Sequence, residues 1–400
     1  MKPKILYISH EIGLNGASKS LLNIIEAFQD KYDVYVLLRG DGKLKKELQK
    51  YKCTVLTNKY YLDCEERNVS QGEVVWVIKE LRYIFYRRLV NLRTARKLSK
   101  FVKDEGITLI HSNSSSTFMG AYIAQRCNIP HIWHFREFLW EDFRMQPMLG
   151  WKYFYKLVAA TATKVICVSD SVMNKYQKLI KTDMIRIYNG VPGSYNEVKR
   201  KSRKNFNILQ AGIISQVKGV DVSIEALGIL LSQGIDAIHL YLAGNGSLDF
   251  CKVYNERDDI KEHVHLMGYV NNLQSIREDK IDAELICSRS EAFGRVTIEA
   301  MQAGLIVIGA NTAGTAELIT NGNNGFLFKN GNAADLANKI KWVYENIESL
   351  DQIRNGALIT AKKFSIQNCT CQIGEIYETL CRRERRKENC TISGGKNDKN

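Results

Sequence analysis

An α/β fold built from two Rossmann-like, doubly wound domains is predicted by three observations. Short apolar runs alternate with longer helical stretches along the first half of the chain. That alternation stops at a polar, basic stretch near residue 200 and then restarts. With 400 residues, the chain is also too long for one small core. Strand-helix-strand repetition implies parallel sheets with right-handed crossovers. Two such domains facing each other would bring the carboxyl ends of both sheets to a central cleft, where ligands of these sheets bind.

The elements follow in order. Lys4 to Ser9, Val34 to Leu38, Thr54 to Leu56, Thr108 to His111, His131 to Trp133, Val165 to Val168 and Ile185 to Tyr188 read as strands of the first domain, residues 1–191. Between them, Ser18 to Phe28 carries a helical stripe and Phe118 to Arg126 repeats the pattern. Residues 192–205 are polar and basic without a stripe and read as a linker. Phe206 to Gly212, His239 to Gly244, Val264 to Met267, Glu284 to Ser288, Leu305 to Ile308 and Phe326 to Phe328 are the strands of a second domain, residues 206–360. Helical patterns run from Ala333 to Leu380, with 361–381 read as a C-terminal helix returning toward the first domain and 382–400 as a basic disordered tail.

Composition narrows the class. Hydrophobic residues at 45% and charged residues at 25% describe a soluble globular protein. The opening MKPKILYIS reads as a first strand rather than a signal peptide, and no apolar run reaches the length of a membrane span. The ten cysteines contain no Cys-x-x-Cys pair, which disfavours zinc and disulfide frameworks and suits a reducing cytoplasm. Lys and Arg exceed Asp and Glu by 57 to 43, and the resulting +14 attracts phosphate-rich partners such as nucleotides, anionic lipid or nucleic acid. No nucleic-acid-binding motif accompanies that charge, so nucleic acid is not expected as a partner.

The loops after the strands carry the chemistry. The first runs through Gly13 and Gly16 into a helix, a place where backbone N–H groups can meet a phosphate. It also suits a plain strand-to-helix turn capped by Ser18. The stronger segment is SRSEAFGRVTIEAM, in which Glu291 lies in a loop after a strand and Glu299 in the first turns of the next helix. N–H groups around Gly294, Arg295 and Val296 can hold a diphosphate while the flanking carboxylates accept hydrogen bonds from sugar or ribose hydroxyls. The same residues also fit a charge favoured by the helix dipole and an Arg295–Glu299 surface pair.

These segments do not stand alone. Asn15-Gly16-Ala17, IHSN at 110–113, HIWHFRE at 131–137, VICVSDSV at 165–172, IYNGV at 187–191, AGIISQVKG at 211–219, LYLAGNG at 240–246, VHLMGYV at 264–270, EAFGRVTIEAM at 291–301 and TAGTAELI at 312–319 occur in an order that resembles glycosyltransferase family 4. That family is retaining, has the GT-B architecture and includes enzymes of bacterial cell-surface polysaccharides. The resemblance implies that Glu291 contacts hydroxyls of the transferred sugar, with backbone contacts from Phe293 and Gly294, and that Glu299 takes the ribose. It implies that Lys218 pairs with the donor diphosphate and stabilises its departure, that Gly16 lets the first domain close over the same phosphates, and that His134 sits near the sugar. On their own residue types, Lys218 also suits a solvated surface lysine and His134 a hydrogen-bonded core residue.

One position departs from the family. An arginine usually follows the glycine of the Gly-x4-x-Lys-Gly stretch as a second cation on the diphosphate, and here that residue is Ile213. Arg295, one residue past Gly294, is the expected replacement. There is no Asp-x-Asp, so transfer is expected to proceed without a metal or other cofactor, by cationic side chains and helix N-termini. The resemblance further implies a same-face displacement in which the leaving phosphate helps deprotonate the acceptor.

Residues 73–103 show an apolar stripe of Val74, Ile78, Leu81, Phe85, Leu89 and Leu92 beside Lys79, Arg82, Arg87, Arg93, Arg96 and Lys100. The pattern suits a helix lying on an anionic membrane and equally a core-packed helix with a solvated basic face. Trp140, Trp151, Tyr153, Phe154 and Tyr155 with Lys152 and Lys156 form a second aromatic and basic stretch. With acceptors bound in the first domain of this family, a glycan or lipid-linked acceptor at the cytoplasmic face of the membrane is expected. The competing classes are a non-catalytic nucleotide-sugar-binding scaffold, which Ile213 keeps open, and a phosphorylase of similar architecture, for which no lysine motif speaks.

Overall fold

The computed structural model describes residues 2–67, 72–193 and 204–394, with side chains described as far as Arg382. It divides into two units, Met1–Gly190 with Ile366–Asn400, and Val191–Ser365.

In the first unit the strands are β1 (Lys4–Ile8), β2 (Asp33–Leu38), β3 (Cys53–Thr57), β4 (Cys64–Glu66), β5 (Leu109–Ser112), β6 (His131–Phe135), β7 (Met145–Pro147), β8 (Lys164–Cys167) and β9 (Met184–Arg186). A seven-stranded parallel sheet has the order β3-β2-β1-β5-β6-β8-β9. Its strand order reverses between β1 and β5. Strands covered by helices on both faces must be apolar throughout, and KILYI, DVYVLL and HIWHF are accordingly almost wholly buried.

In the second unit the strands are β10 (Phe206–Ala211), β11 (Ile238–Ala243), β12 (Val264–Gly268), β13 (Ala283–Ile286), β14 (Ile306–Ala310) and β15 (Phe326–Phe328). They form one parallel sheet ordered β12-β11-β10-β13-β14-β15, with its reversal between β10 and β13. Its core gathers Ile208, Leu240, Leu285 and Ile308 with Leu227 and Ile340 from the covering helices.

Several expectations need correction. The expected strands did not include β4 and β7, an antiparallel pair of tripeptides too short to carry a period. The linker expected at 192–205 falls mostly on 194–203, outside the described residues. The second unit extends to Ser365 rather than 360, because the helix Asp351–Lys363 buries Ala357, Leu358 and Ala361. The C-terminal helix starts at Ile366 and runs to Gly394, through residues expected to be disordered. Its continuation uses Arg, Glu and Lys, good helix formers that extend a helix already nucleated by packing. Residues 395–400 of that expected tail lie outside the described residues. The packed part of the helix places Ile373, Tyr377 and Leu380 in the core of the first unit beside Ile5, Tyr7 and Phe28.

The stretch expected as one amphipathic helix is a helix over Gly72–Arg82, a π-helical turn over Tyr83–Arg87 and a helix over Arg88–Glu105. Its apolar stripe faces outward. Val74 is 73% exposed and Phe85 71%, and Ile78, Leu81 and Leu89 are exposed as well, whereas Trp76 and Tyr83 turn inward against Met148. Tyr83 donates its hydroxyl to the fully buried Asp63, which also accepts from the Phe118 N–H at 2.6 Å and Asn91 Nδ2 at 3.2 Å. Burial pushes the Asp63 carboxyl up to about 6, against the pull of those hydrogen bonds.

Candidate active site

The reversal between β10 and β13 is where a sheet of this kind opens a crevice, and the loops after both strands meet there. After β10 the chain passes Ile213, which is 64% exposed, and reaches Lys218 and Gly219 before the helix Val220–Ser232. Gly219 has φ +67°, and a Cβ there would lie 2.0 Å from the Cys287 carbonyl oxygen just past β13. Only glycine lets these two segments approach so closely. The Lys218 carbonyl accepts from Gln210 Nε2 at 2.8 Å, which fixes the backbone from which its side chain departs.

The loop after β13 supplies the partner. Lys218 Nζ donates to Glu291 Oε2 at 2.7 Å, and Ser288 Oγ donates to the same oxygen at 3.2 Å. The Glu291 carbonyl accepts the Gly314 N–H at 2.8 Å, tying the loop to the turn after β14. Gly294, with φ +95°, then starts the helix Arg295–Gln302.

Glu299 projects from that helix to Arg277, whose Nη1 lies 3.2 Å from Glu299 Oε2. Arg277 also grips Glu284 of β13 bidentately, Nε to Oε2 at 2.8 Å and Nη2 to Oε1 at 3.0 Å, and both residues are buried. Burial alone would lower the Arg277 pKa, but Glu284 and Glu299 outweigh it and hold the guanidinium firmly charged. Burial raises the Glu284 pKa and the guanidinium offsets part of that rise. Arg295 completes the row, its Nη2 lying 3.7 Å from Glu299 Oε1.

In the first unit the loops after β1 and β5 flank the other reversal. Gly16 opens the helix Gly16–Phe28. The Ser18 N–H of its first turn donates to Glu11 Oε2 at 3.1 Å, and the Ala17 carbonyl accepts from Asn113 Nδ2 at 3.0 Å. Asn113 in turn accepts from Arg136 Nε at 2.8 Å. His134, on β6, is fully buried, with Nδ1 3.2 Å from Nε2 of His111. Burial, then the charge of Arg136, pushes the pKa of His134 well down and leaves the ring neutral.

Comparison with known proteins now identifies the scaffold. A family described as Glycosyltransferase Family 4 matches residues 14–194, and one described as Glycosyl transferases group 1 matches residues 194–358. An uncharacterized glycosyltransferase of Methanocaldococcus jannaschii is 30% identical over 346 residues, covering 84% of this chain and 92% of the relative. The chain belongs to glycosyltransferase family 4. The capsular polysaccharide biosynthesis glycosyltransferase CapM of Staphylococcus aureus is 27% identical over 264 residues, 59% of this chain and 68% of that one. Among solved structures, the Anabaena protein HepE in complex with UDP and glucose superposes with a TM-score of 0.72 at 21% identity, over 94% of this chain and 100% of the other. That likeness concerns the fold, which is GT-B.

Of the residues singled out in this glycosyltransferase, Lys218 and Glu291 are in direct contact, and Glu299 and Arg295 pair on the adjoining helix. Phe293, Gly294 and Val296 lie on the segment joining these pairs, with the Phe293 ring 5.9 Å from that of Phe364. Gly16 and His134 belong to the first unit. Sequence reasoning missed Arg277, Glu284, Glu11 and His111. Arg277 sits in LQSIREDK, which reads as an exposed charged helix. His111 was within reach, because it lies in the IHSN segment already noted.

Proposed function

We propose that this glycosyltransferase moves a sugar, with retention, from a nucleotide-diphosphate sugar to a hydroxyl of a glycan or lipid-linked acceptor in the synthesis of a cell-surface polysaccharide or glycolipid. The observation that carries the reading is the Lys218–Glu291 contact at the strand-order reversal, with Gly294 opening a helix beside it. Lys218 neutralises charge on the departing diphosphate, and the first turn at Gly294, Arg295 and Val296 adds backbone N–H groups to the same phosphates. Glu291, already oriented by Lys218 and Ser288, exchanges part of that grip for sugar hydroxyls. Glu299, held by Arg277, accepts the ribose hydroxyls. Arg295 shares Glu299 in this structure and supplies the second cation in place of the arginine that Ile213 replaces. Transfer proceeds by same-face displacement without a metal, the leaving phosphate taking the acceptor proton.

A panel of nucleotide sugars tests this, with product stereochemistry read by NMR. Retained anomeric configuration in the presence of chelator is the expected result. An inverted product, or activity lost to chelator and restored by manganese, overturns the mechanism. Binding of a nucleotide sugar without turnover would favour the scaffold instead.

The exposed stripe of Gly72–Arg87 supports an acceptor at an anionic membrane surface on the cytoplasmic side. Among the described residues no helix is long and apolar enough to cross a membrane. Val74, Ile78, Leu81 and Phe85 form an apolar face, Arg82 is exposed on the same helix, and Arg93, Arg96 and Lys100 are exposed on the helix Arg88–Glu105 that follows. Arg87 instead pairs with Glu65. Flotation with anionic vesicles should be lost in Phe85→Ser combined with Arg82→Glu and Arg93→Glu. Unchanged flotation would remove the membrane from the proposal.

A further inference from the structure

Glu137 follows β6 at the carboxyl end of the first sheet and is only 7% exposed. Its Oε1 takes three donors from the segment after β5: Ser114 Oγ at 2.6 Å, the Ser115 N–H at 2.8 Å and Ser115 Oγ at 2.7 Å. Among the described residues, Oε2 has no hydrogen-bond partner. Asp63 and Glu284, carboxylates buried in their units, use both oxygens: Asp63 meets Tyr83, Asn91 and the Phe118 N–H, and Glu284 meets Arg277 twice. Leaving the lone pairs of a nearly buried carboxylate oxygen unmet is costly. Glu137 is thus held by one oxygen, and the other calls for a donor from outside the protein, either water or a hydroxyl of a ligand.

The setting is rigid. Ser114, Ser115 and Ser116 are buried, Trp133 Nε1 donates to the Ser114 carbonyl at 2.9 Å, and the Asp63 N–H donates to the Ser116 carbonyl at 3.1 Å. Arg136, the neighbour of Glu137 in the chain, donates Nε to Asn113 Oδ1 at 2.8 Å and Nη1 to Asn189 Oδ1 at 2.5 Å, and Asn113 Nδ2 donates to the Ala17 carbonyl at 3.0 Å. Segments after β1, β5, β6 and β9 are thereby tied together beside the reversal between β1 and β5, where a sheet of this kind opens a crevice for a ligand. Lys218, Glu291 and Glu299, which serve the donor in the proposed function, belong to the second unit. The ligand left for the first unit's own crevice is the other substrate.

We infer that Glu137 binds the acceptor substrate, its Oε2 accepting a hydrogen bond from a hydroxyl of that molecule. The inference rests on the proposed function as a sugar transferase. A carboxylate oxygen without a proton can only accept, so the group it takes must carry a donor, as the hydroxyls of a glycan do. The oxygen is already oriented by the grip on Oε1, so binding pays little to order it. Glu137 moves no proton in this role.

Glu137→Gln isolates the open oxygen. The Ser115 N–H can only donate, so the amide oxygen of the variant takes the place of Oε1 and the amide nitrogen stands where Oε2 stood. Glu137→Ala would instead strip three donors of their partner and confound binding with folding. The acceptor probe is n-octyl β-D-glucoside, a neutral glycolipid mimic, supplied to the full-length protein with UDP-glucose or whichever nucleotide sugar of the panel is consumed. The ratio of sugar transferred to the glucoside to sugar released to water compares two acceptors in one reaction mixture. Glu137→Gln should lower that ratio about tenfold or more, the loss of one hydrogen bond to a charged group, and raise the KM for the glucoside, while the thermal midpoint stays close to that of the wild type. Equal ratios in the two proteins overturn the inference and leave water on Oε2. A lowered ratio with a comparably lowered midpoint also overturns it and makes Glu137 structural. If the wild type consumes no nucleotide sugar of the panel, the transferase reading itself fails, whereas donor consumption with equal ratios fails Glu137 alone.

Discussion

Lys218 Nζ lies 2.7 Å from Glu291 Oε2, across loops that follow adjacent strands and are 73 residues apart in the chain. Both side chains are partly exposed, so the pair contributes at most about 1 kcal/mol to stability. In the proposed function its value is the placement of a cation and a hydroxyl acceptor on either side of the reacting bond. Lys218→Ala should therefore lower kcat on the order of a hundredfold, the loss seen when one preorganised stabilising group is removed. The thermal midpoint should move by only a few degrees. Donor kinetics and thermal unfolding on the same preparation decide the matter, and a large drop in midpoint with unchanged kcat would make the pair structural.

The Arg277 cluster should behave in the opposite way. Arg277→Ala leaves Glu284 buried without its bidentate partner, which costs about 3–5 kcal/mol for a buried pair broken on one side. Arg277→Met with Glu284→Leu removes both charges and should recover most of that loss. Donor affinity should stay impaired in the double variant, because Glu299 has lost the Nη1 contact that orients it. Denaturant unfolding and donor titration separate the two effects.

How far these features could be read beforehand follows from their physics. Strands buried on both faces are legible as apolar runs, and β10 to β15 stand close to where the runs placed them. Glu291 and Glu299 were legible as residues framing a helix start, because their positions are set locally by Gly294. Arg277 was not, since its burial is decided by Glu284 on a neighbouring strand and nothing local distinguishes it from a solvated arginine. The Gly72–Arg87 segment shows a third case. Periodicity located the apolar stripe, but it cannot say which side of a helix is packed, and the residues that anchor it, Trp76 and Tyr83, lie off that stripe. The hydroxyls of Tyr7 and Tyr377, 3.1 Å apart, join residues 370 apart in the chain, and no local pattern links them.

Asp63 gives stability a pH dependence of unusual sign for a carboxylate. Its folded pKa of about 6 lies above the 3.8 of an ordinary aspartate. Below about pH 4 both folded and unfolded states are protonated and the buried group is tolerated in full. Between pH 4 and 6 the unfolded chain releases its proton first, so stability falls as pH rises, and the loss is complete above pH 6 at on the order of 3 kcal/mol. Asp63→Asn cannot ionise and lacks this term. The difference in urea unfolding free energy between the two proteins should therefore shift in favour of the variant from pH 4 to pH 7, and a constant difference would show that Asp63 titrates normally.

Gly219 tests whether the close approach of two segments, rather than either one alone, sets the Lys218–Glu291 distance. Gly219→Ala meets two penalties. The left-handed φ of +67° costs an L-residue roughly 1–2 kcal/mol. The added Cβ would also stand 2.0 Å from the Cys287 carbonyl oxygen, a contact with backbone that cannot rotate away. The segment bearing Lys218 must then move from the segment leading to Glu291. Gly234→Ala provides the control, because its φ is +80° with nothing within 4 Å of the new Cβ. The two variants should share the backbone strain, while Gly219→Ala alone loses further stability and raises the donor KM several-fold. Equal stability losses and equal donor kinetics would mean that the loop reaches its position without that contact. In that event the geometry of the cation would have to come from the Gln210 bond to the Lys218 carbonyl.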